Sequence, residues 1–142
     1  MALLNQEQIK EIIPHRDPFL LIDEILELTP GVQAVGQKYL RPDESWFAGH
    51  FPGQPVQPGV LTIEMLAQTG AVCALSLPEN KGKIAFFAGI DKARFRGIAR
   101  PGDTLLLEVE VTKTSHGISF CKGTATVEGR RVVTAEFSCS IS

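Results

Sequence analysis

The stretch between Pro58 and Pro78 leaves this chain few ways to fold. It carries Val60, Leu61, Ile63, Met65, Leu66, Ala67, Ala71, Val72, Ala74, Leu75 and Leu77, and its only charged residue is Glu64. Pro58 suits a first helical turn and Pro78 ends one, so the pattern predicts a helix over residues 60–77. Its apolar groups lie nearly all round, and such a helix is normally buried within a domain. The rest of the chain must therefore cover it. With 142 residues, one domain over 1–142 has the length to do so, since chains of about 150 residues hide roughly two-thirds of their unfolded surface.

That cover reads as β. Asn5 is expected to cap a short helix through Ile13, with Ile9, Ile12 and Ile13 on one face, and Pro14 stops it. Residues 19–28 are rich in Leu and Ile and read as a strand ended by Pro30-Gly31. Residues 32–40 alternate as an antiparallel partner. Beyond Asn80-Lys81-Gly82, residues 84–98 read as one long or bent strand. Residues 105–114, 118–127 and 131–141 form a meander turned at Ser115-His116-Gly117 and Glu128-Gly129. The predicted class is α+β, one central helix packed on an antiparallel sheet.

The loop entering the helix is the chemical feature. Gly49-His50-Phe51-Pro52-Gly53-Gln54-Pro55-Val56-Gln57-Pro58-Gly59 holds three glycines and three prolines. It is neither regular helix nor central strand, and is therefore a shaped loop. His50 is its only titratable side chain, and an imidazole of pKa about 6.5 suits proton transfer near neutrality. At Gly59-Val60 the free N–H groups and dipole of the helix start attract an oxygen carrying partial negative charge, and glycine lets it approach the backbone. Glu64, if buried, must be neutral, paired or facing a cavity. Gln68 lies four residues on, where it can hydrogen-bond the carboxyl. A structural carboxylate held by backbone N–H groups is the alternative. Together the three elements form a base, an acid and an oxyanion-type polariser, the set that removes a proton α to a carbonyl. His15 is expected to be structural and His116 solvated at its turn.

Lys92, Arg94 and Arg96 alternate with Ala93 and Phe95, so a strand puts the cations on one face, and Arg100 extends the patch. It is either a solvated sheet face or a landing surface for an acidic partner. The formal charge of −2 gives no support to general nucleic-acid binding. Cys73, Cys121 and Cys139 are odd in number and widely spaced, as free thiols of a reducing compartment are. No histidine pair has metal-ligand spacing, and no Gly-x-Ser-x-Gly elbow or phosphate loop occurs. The start lacks a signal-peptide pattern and no run of about 18 apolar residues exists, so the expectation is a soluble, cytoplasmic protein.

The run Gly49-His50-Phe51-Pro52-Gly53-x-Pro55-Val56-x-Pro58-Gly59-Val60, followed by Glu64-x-x-Ala67-Gln68, closely resembles the β-hydroxyacyl-acyl-carrier-protein dehydratases of fatty-acid synthesis. Pro14-His15-Arg16-x-Pro18-Phe19-Leu20-Leu21-Ile22-Asp23 and Asp91-Lys92-Ala93-Arg94-Phe95-Arg96 also look like that family. Asp17 departs from it, standing where many relatives carry an aromatic residue. The resemblance implies a hotdog fold, an antiparallel sheet wrapped around a long central helix. It further implies a homodimer with a continuous sheet, assembled as a hexamer from three dimers. Each site would take His50 from one subunit and Glu64 of the partner subunit. The reaction implied is loss of water from a 3-hydroxyacyl thioester to give a trans-2-enoyl thioester, without metal or organic cofactor. Glu64 favours the non-isomerising type, because the isomerising sibling carries aspartate there. Gly59 or Val60 would polarise the thioester carbonyl, and Phe51, Pro52, Gln68, Phe86 and Phe87 would line an acyl tunnel. Lys92, Arg94, Arg96 and Arg100 would meet the acyl carrier protein or its phosphopantetheine. A hotdog thioesterase and a non-catalytic acyl-binding module are the competing readings.

Overall fold

The computed structural model describes residues 2–142. Its one long helix, α2 (Gly59–Leu75), follows a short α1 (Gln6–Lys10) and two strands, β1 (Glu24–Thr29) and β2 (Gln33–Tyr39). Four strands complete the chain: β3 (Ala85–Phe95), β4 (Thr104–Ser115), β5 (Ile118–Val127) and β6 (Arg130–Ile141). All six strands join one antiparallel sheet in the order β1-β2-β4-β5-β6-β3. From Met65 to Leu75 every residue of α2 is buried. Its neighbours include Leu105, Leu107 and Val109 of β4 and Val133, Ala135 and Phe137 of β6. This is the hotdog arrangement, and the apolar helix dictates it, because from Met65 onward no face of α2 is left to water.

The turns follow from backbone chemistry. Thr29-Pro30-Gly31-Val32 closes with Val32 N–H donating to Thr29 O at 2.9 Å. Proline pre-sets the first central residue and Gly31 takes φ 75° at the second. His116-Gly117 and Glu128-Gly129 take positive φ at both positions, the two-residue hairpin that matches strand twist. Glycine is required for another reason where helix and sheet touch. A β-carbon on Gly36 of β2 would lie 2.8 Å from Thr69 Oγ1.

Three expected boundaries move. Helix α1 ends at Lys10 rather than Ile13. Its capping box is complete, with Asn5 and Gln8 each accepting the other's backbone N–H, but the chain then tightens into a turn before Pro14, which disfavours helical geometry just upstream. The first strand starts at Glu24, not at residue 19. Leu21 N–H and Phe19 O are bonded to the Gln68 side chain, and Ile22 O to Gln6 Nε2, so this backbone has no ladder to join. Strand β3 covers 85–95 and is interrupted by register shifts at Phe87/Gly89 and Asp91/Arg94.

Gly36→Val forces a branched side chain into the α2 contact and is expected to lower unfolding free energy by about 1–3 kcal/mol. Gly49 has open space around it, so Gly49→Ala should stay within about 0.5 kcal/mol. Urea-unfolding midpoints of the two variants check the contrast.

Candidate active site

Glu64 projects from α2 into a cavity of 170 Å³ that His15, Gln68, Phe86, Phe87 and Cys139 help to line. Gln68, one turn further on, organises this corner. Its Oε1 accepts Leu21 N–H at 2.9 Å, while its Nε2 donates to Phe19 O and to Glu64 Oε2, each at 2.9 Å. The amide cannot be reversed without opposing like groups at both backbone contacts. Glu64 Oε2 is therefore an acceptor, and a proton on this carboxyl resides on Oε1. Burial raises the Glu64 pKa, against the lowering effect of the Gln68 bond. The carboxyl is biased toward the neutral acid.

His15 belongs to the same corner. Its Nε2 lies 3.8 Å from Glu64 Oε2. Burial, and then the charge of Arg16, lower the His15 pKa. The separation is within ion-pair range, yet both shifts favour neutral partners, and burial of both groups is the stronger influence. Arg16 fixes this segment by donating to the Lys10, Ile13 and His15 carbonyls. The His15 Nδ1 is buried without a hydrogen-bond partner among the described residues. The signal for His15 lay in its motif, but its approach to Glu64 spans nearly fifty residues and is invisible to local pattern.

His50 stands on the shaped loop, outside that cavity. Its Nδ1 is 2.9 Å from Val56 O. A carbonyl only accepts, so Nδ1 carries the hydrogen and Nε2 of the neutral ring keeps its lone pair free. The loop is tied in several places. Val56 N–H donates to His50 O at 2.8 Å, and Phe51 and Gln54 exchange backbone bonds. Upstream, the buried Lys38 ammonium lies 2.7 Å from Glu44 and 3.7 Å from Asp23, anchoring the segment that leads to His50. Downstream, Gln57 bonds Trp46 Nε1, Thr62 Oγ1 and Ala99 O. Helix α2 then opens at Gly59 and Val60 with no side-chain cap.

The predicted residues thus separate. Glu64, Gln68, Phe86 and Phe87 share one cavity. His50, Phe51, Pro52, Gly59 and Val60 form a second group that does not line it. Lys92, Arg94 and Arg96 border an open groove of 460 Å³ on the sheet, joined by Lys122 of β5 and Arg131 of β6. Arg100 lies outside it, its N–H bonded to Asp103. Lys122 and Arg131 were not foreseen, because only the pairing of β5 with β6 and of β6 with β3 brings them to the same groove as the β3 cations. Cys73, Cys121 and Cys139 are free and buried. Burial pushes the Cys139 thiol up to about 11, with the Glu64 charge adding, and Cys121 up to about 12. Among the described residues no cluster of His, Cys, Asp or Glu is placed to hold a metal, and no helix is long and apolar enough to cross a membrane.

A six-stranded antiparallel sheet packed round one apolar helix defines a protein of the hotdog class. A family model described as a FabA-like domain matches residues 13–136, and the chain belongs to that family. It is 60% identical over 134 residues to the 3-hydroxyacyl-[acyl-carrier-protein] dehydratase FabZ of Roseiflexus castenholzii, covering 94% of each chain. It is 52% identical over 139 residues to the FabZ of Ligilactobacillus salivarius, covering 98% of this chain and 99% of that one. The fold is similar to a structure described as the dehydratase heterocomplex ApeI:P from Xenorhabdus doucetiae, with a TM-score of 0.80 at 16% identity, covering 94% of this chain and 90% of that one. It is also similar to a hypothetical thioesterase protein with coenzyme A from Streptococcus pneumoniae, with a TM-score of 0.66 at 14% identity, covering 84% of each chain.

The raised Glu64 pKa has a consequence for stability. A folded pKa above the unfolded value means that the folded state holds the proton more tightly. This contribution is fully present below the unfolded pKa and is lost as pH rises through the folded one. Glu64→Gln has no such titration. Its stability relative to the native chain should therefore increase as pH rises above the ordinary glutamate pKa of 4.5, as measured by urea unfolding at each pH. A difference independent of pH would contradict discrimination against the buried carboxylate.

Proposed function

We propose that this chain is a 3-hydroxyacyl-[acyl-carrier-protein] dehydratase of fatty-acid synthesis, a hydro-lyase of the non-isomerising type. The observation that supports the reading is that one chain carries both a carboxyl whose pKa burial raises and an imidazole whose Nδ1 is held by the Val56 carbonyl. Substrate is a (3R)-3-hydroxyacyl thioester on acyl carrier protein, with its carbonyl oxygen at the Gly59 and Val60 N–H groups. His50 Nε2 takes the C2 proton, and the electrons released move toward the carbonyl, where the helix start stabilises enolate-like charge. As the C2–C3 double bond forms, the C3–O bond breaks and Glu64 gives its Oε1 proton to the departing hydroxyl, which leaves as water. The products are the trans-2-enoyl thioester, a protonated His50 and an ionised Glu64. Transfer of the proton from imidazolium to carboxylate resets the pair. This elimination calls on no metal or organic cofactor.

The site is shared between two copies, with His50 of one chain facing Glu64 of the partner subunit. Two features support this. The 170 Å³ cavity is smaller than the roughly 300–1,000 Å³ of ligand pockets, so one chain offers only part of a site. Its wall includes β3, a sheet edge with Phe86, Phe87, Ile90 and Phe95 exposed. Such an edge is a template for pairing with a second strand. Two β3 edges would make one continuous sheet, and three dimers the hexamer. Phe51 and Pro52 then complete an acyl tunnel with Gln68, Phe86 and Phe87. The cationic groove receives the acidic carrier, with Arg100 at a distance from it. Buried free thiols suit the cytoplasm.

Incubation with a 3-hydroxyacyl thioester should yield the enoyl product, whereas free thiol without enoyl product would indicate a thioesterase. His50→Ala and Glu64→Ala should each abolish turnover. Equal mixing under subunit exchange should restore about one quarter of wild-type activity, because half of the dimers are mixed and each has one intact site. No recovery despite proven exchange would refute the shared site. Lys92→Glu and Arg94→Glu should impair carrier-bound substrate about tenfold or more while sparing the coenzyme A thioester; equal losses would count against docking there.

A further inference from the structure

Strand β3 contains an irregularity whose effect reaches the start of α2. Asp91 pairs with Glu136 and Arg94 with Thr134, so three steps on β3 match two on β6. Lys92 lies within the extra step with φ 49°, the left-handed region that a lysine seldom adopts. Side chains alternate across a strand, so one inserted residue exchanges the two faces beyond it. In unbroken register Arg94 would oppose the buried Val133. In the bulged register Phe95 opposes Val133 instead, and Arg94 turns out toward Thr134.

The re-aimed Phe95 ring lies directly on Gly59. A β-carbon built there would overlap its Cδ1 and Cε1 atoms. The ring is nevertheless 58% exposed, so one face presses on the helix start and the other remains open. Beside it, the Gly59 and Val60 N–H groups donate to no protein acceptor among the described residues.

We propose that Phe95 is a positioning residue for the elimination, a wall that keeps water from one side of the Gly59–Val60 donors and sets where the thioester carbonyl can lie. The proposal rests on the assignment of those N–H groups as the carbonyl polariser. Donors aimed at developing charge are most effective when water does not compete and nothing reorganises during reaction. The proposal also changes why residue 59 is glycine. The Phe95 ring, rather than the approach of a substrate oxygen, excludes a side chain there.

The test combines steady-state kinetics on a 3-hydroxyacyl thioester with thermal unfolding and solution mass. Phe95→Ala and Phe95→Gln should lower kcat about tenfold or more with KM changed little, since they weaken a transition-state interaction. Phe95→Leu, still an apolar wall, should keep most of the activity. Native mass and melting temperature should hold for Phe95→Gln, which separates positioning from a purely structural or interface role. Gly59→Ala should lower the melting temperature in the native background, and much less when combined with Phe95→Ala. Wild-type kcat in Phe95→Gln, a loss confined to KM, or an equal thermal penalty for Gly59→Ala in both backgrounds would overturn the proposal. Should His50→Ala and Glu64→Ala retain full turnover, the reading of the whole site would fall. Inactive His50 and Glu64 variants beside a fully active Phe95→Gln would remove Phe95 alone.

Discussion

The need to hide α2 from water on every side governs this structure. Most helices bury a stripe and leave the rest wet, whereas this one is buried continuously from Met65 to Leu75. One flat layer could not satisfy it, so the sheet curls round it. A carboxyl on such a helix inherits the environment. Glu64 cannot be well hydrated, and its acidity is suppressed by the burial that holds the fold together. The weakened acidity of Glu64 and the stability of the fold share one cause here, and that cause is present in the sequence as a long apolar run with one acid in it.

Much of the architecture was legible because it is written in short-range signals. The hairpins at 116–117 and 128–129, the Pro30-Gly31 turn and the prolines bracketing the helix act within a few residues, and their readings match the fold. Residues 19–23 show where this stops. Their Leu and Ile content reads as a strand, but Gln68, nearly fifty residues away, bonds the backbone of Phe19 and Leu21. Local propensity cannot anticipate a distant amide. The approach of His15 to Glu64 was hidden for the same reason, since only tertiary packing brings the two together.

Gln68 also shows how little is needed to couple elements. One buried amide fixes the entry to β1, orients Glu64 and designates which carboxyl oxygen can carry a proton. Its pairing with Glu64 four residues away was readable on the helix surface. Its two backbone bonds were not, and they are what make its orientation unambiguous. The His50 loop has the complementary design. Its glycines and prolines were visible as constraints, while the Val56 carbonyl that selects the imidazole tautomer became visible only when the loop closed.

Strand β3 brings these lines together. Its cations alternate with Ala93 and Phe95 on two faces, but the sequence does not reveal which face points where, because the bulge at Lys92 shifts the pattern by one. In unbroken register Arg94 would enter the core, where an unpaired guanidinium has no favourable place. The strained Lys92 backbone is the smaller cost. It leaves Arg94 facing outward, beside Lys122 and Arg131 in the groove, and turns Phe95 toward Gly59. The same irregularity therefore sorts charge from apolar surface on an edge that must remain open. A regular β3 continuing from Asp91 would do neither, since it would turn Arg94 to the core and Phe95 away from Gly59.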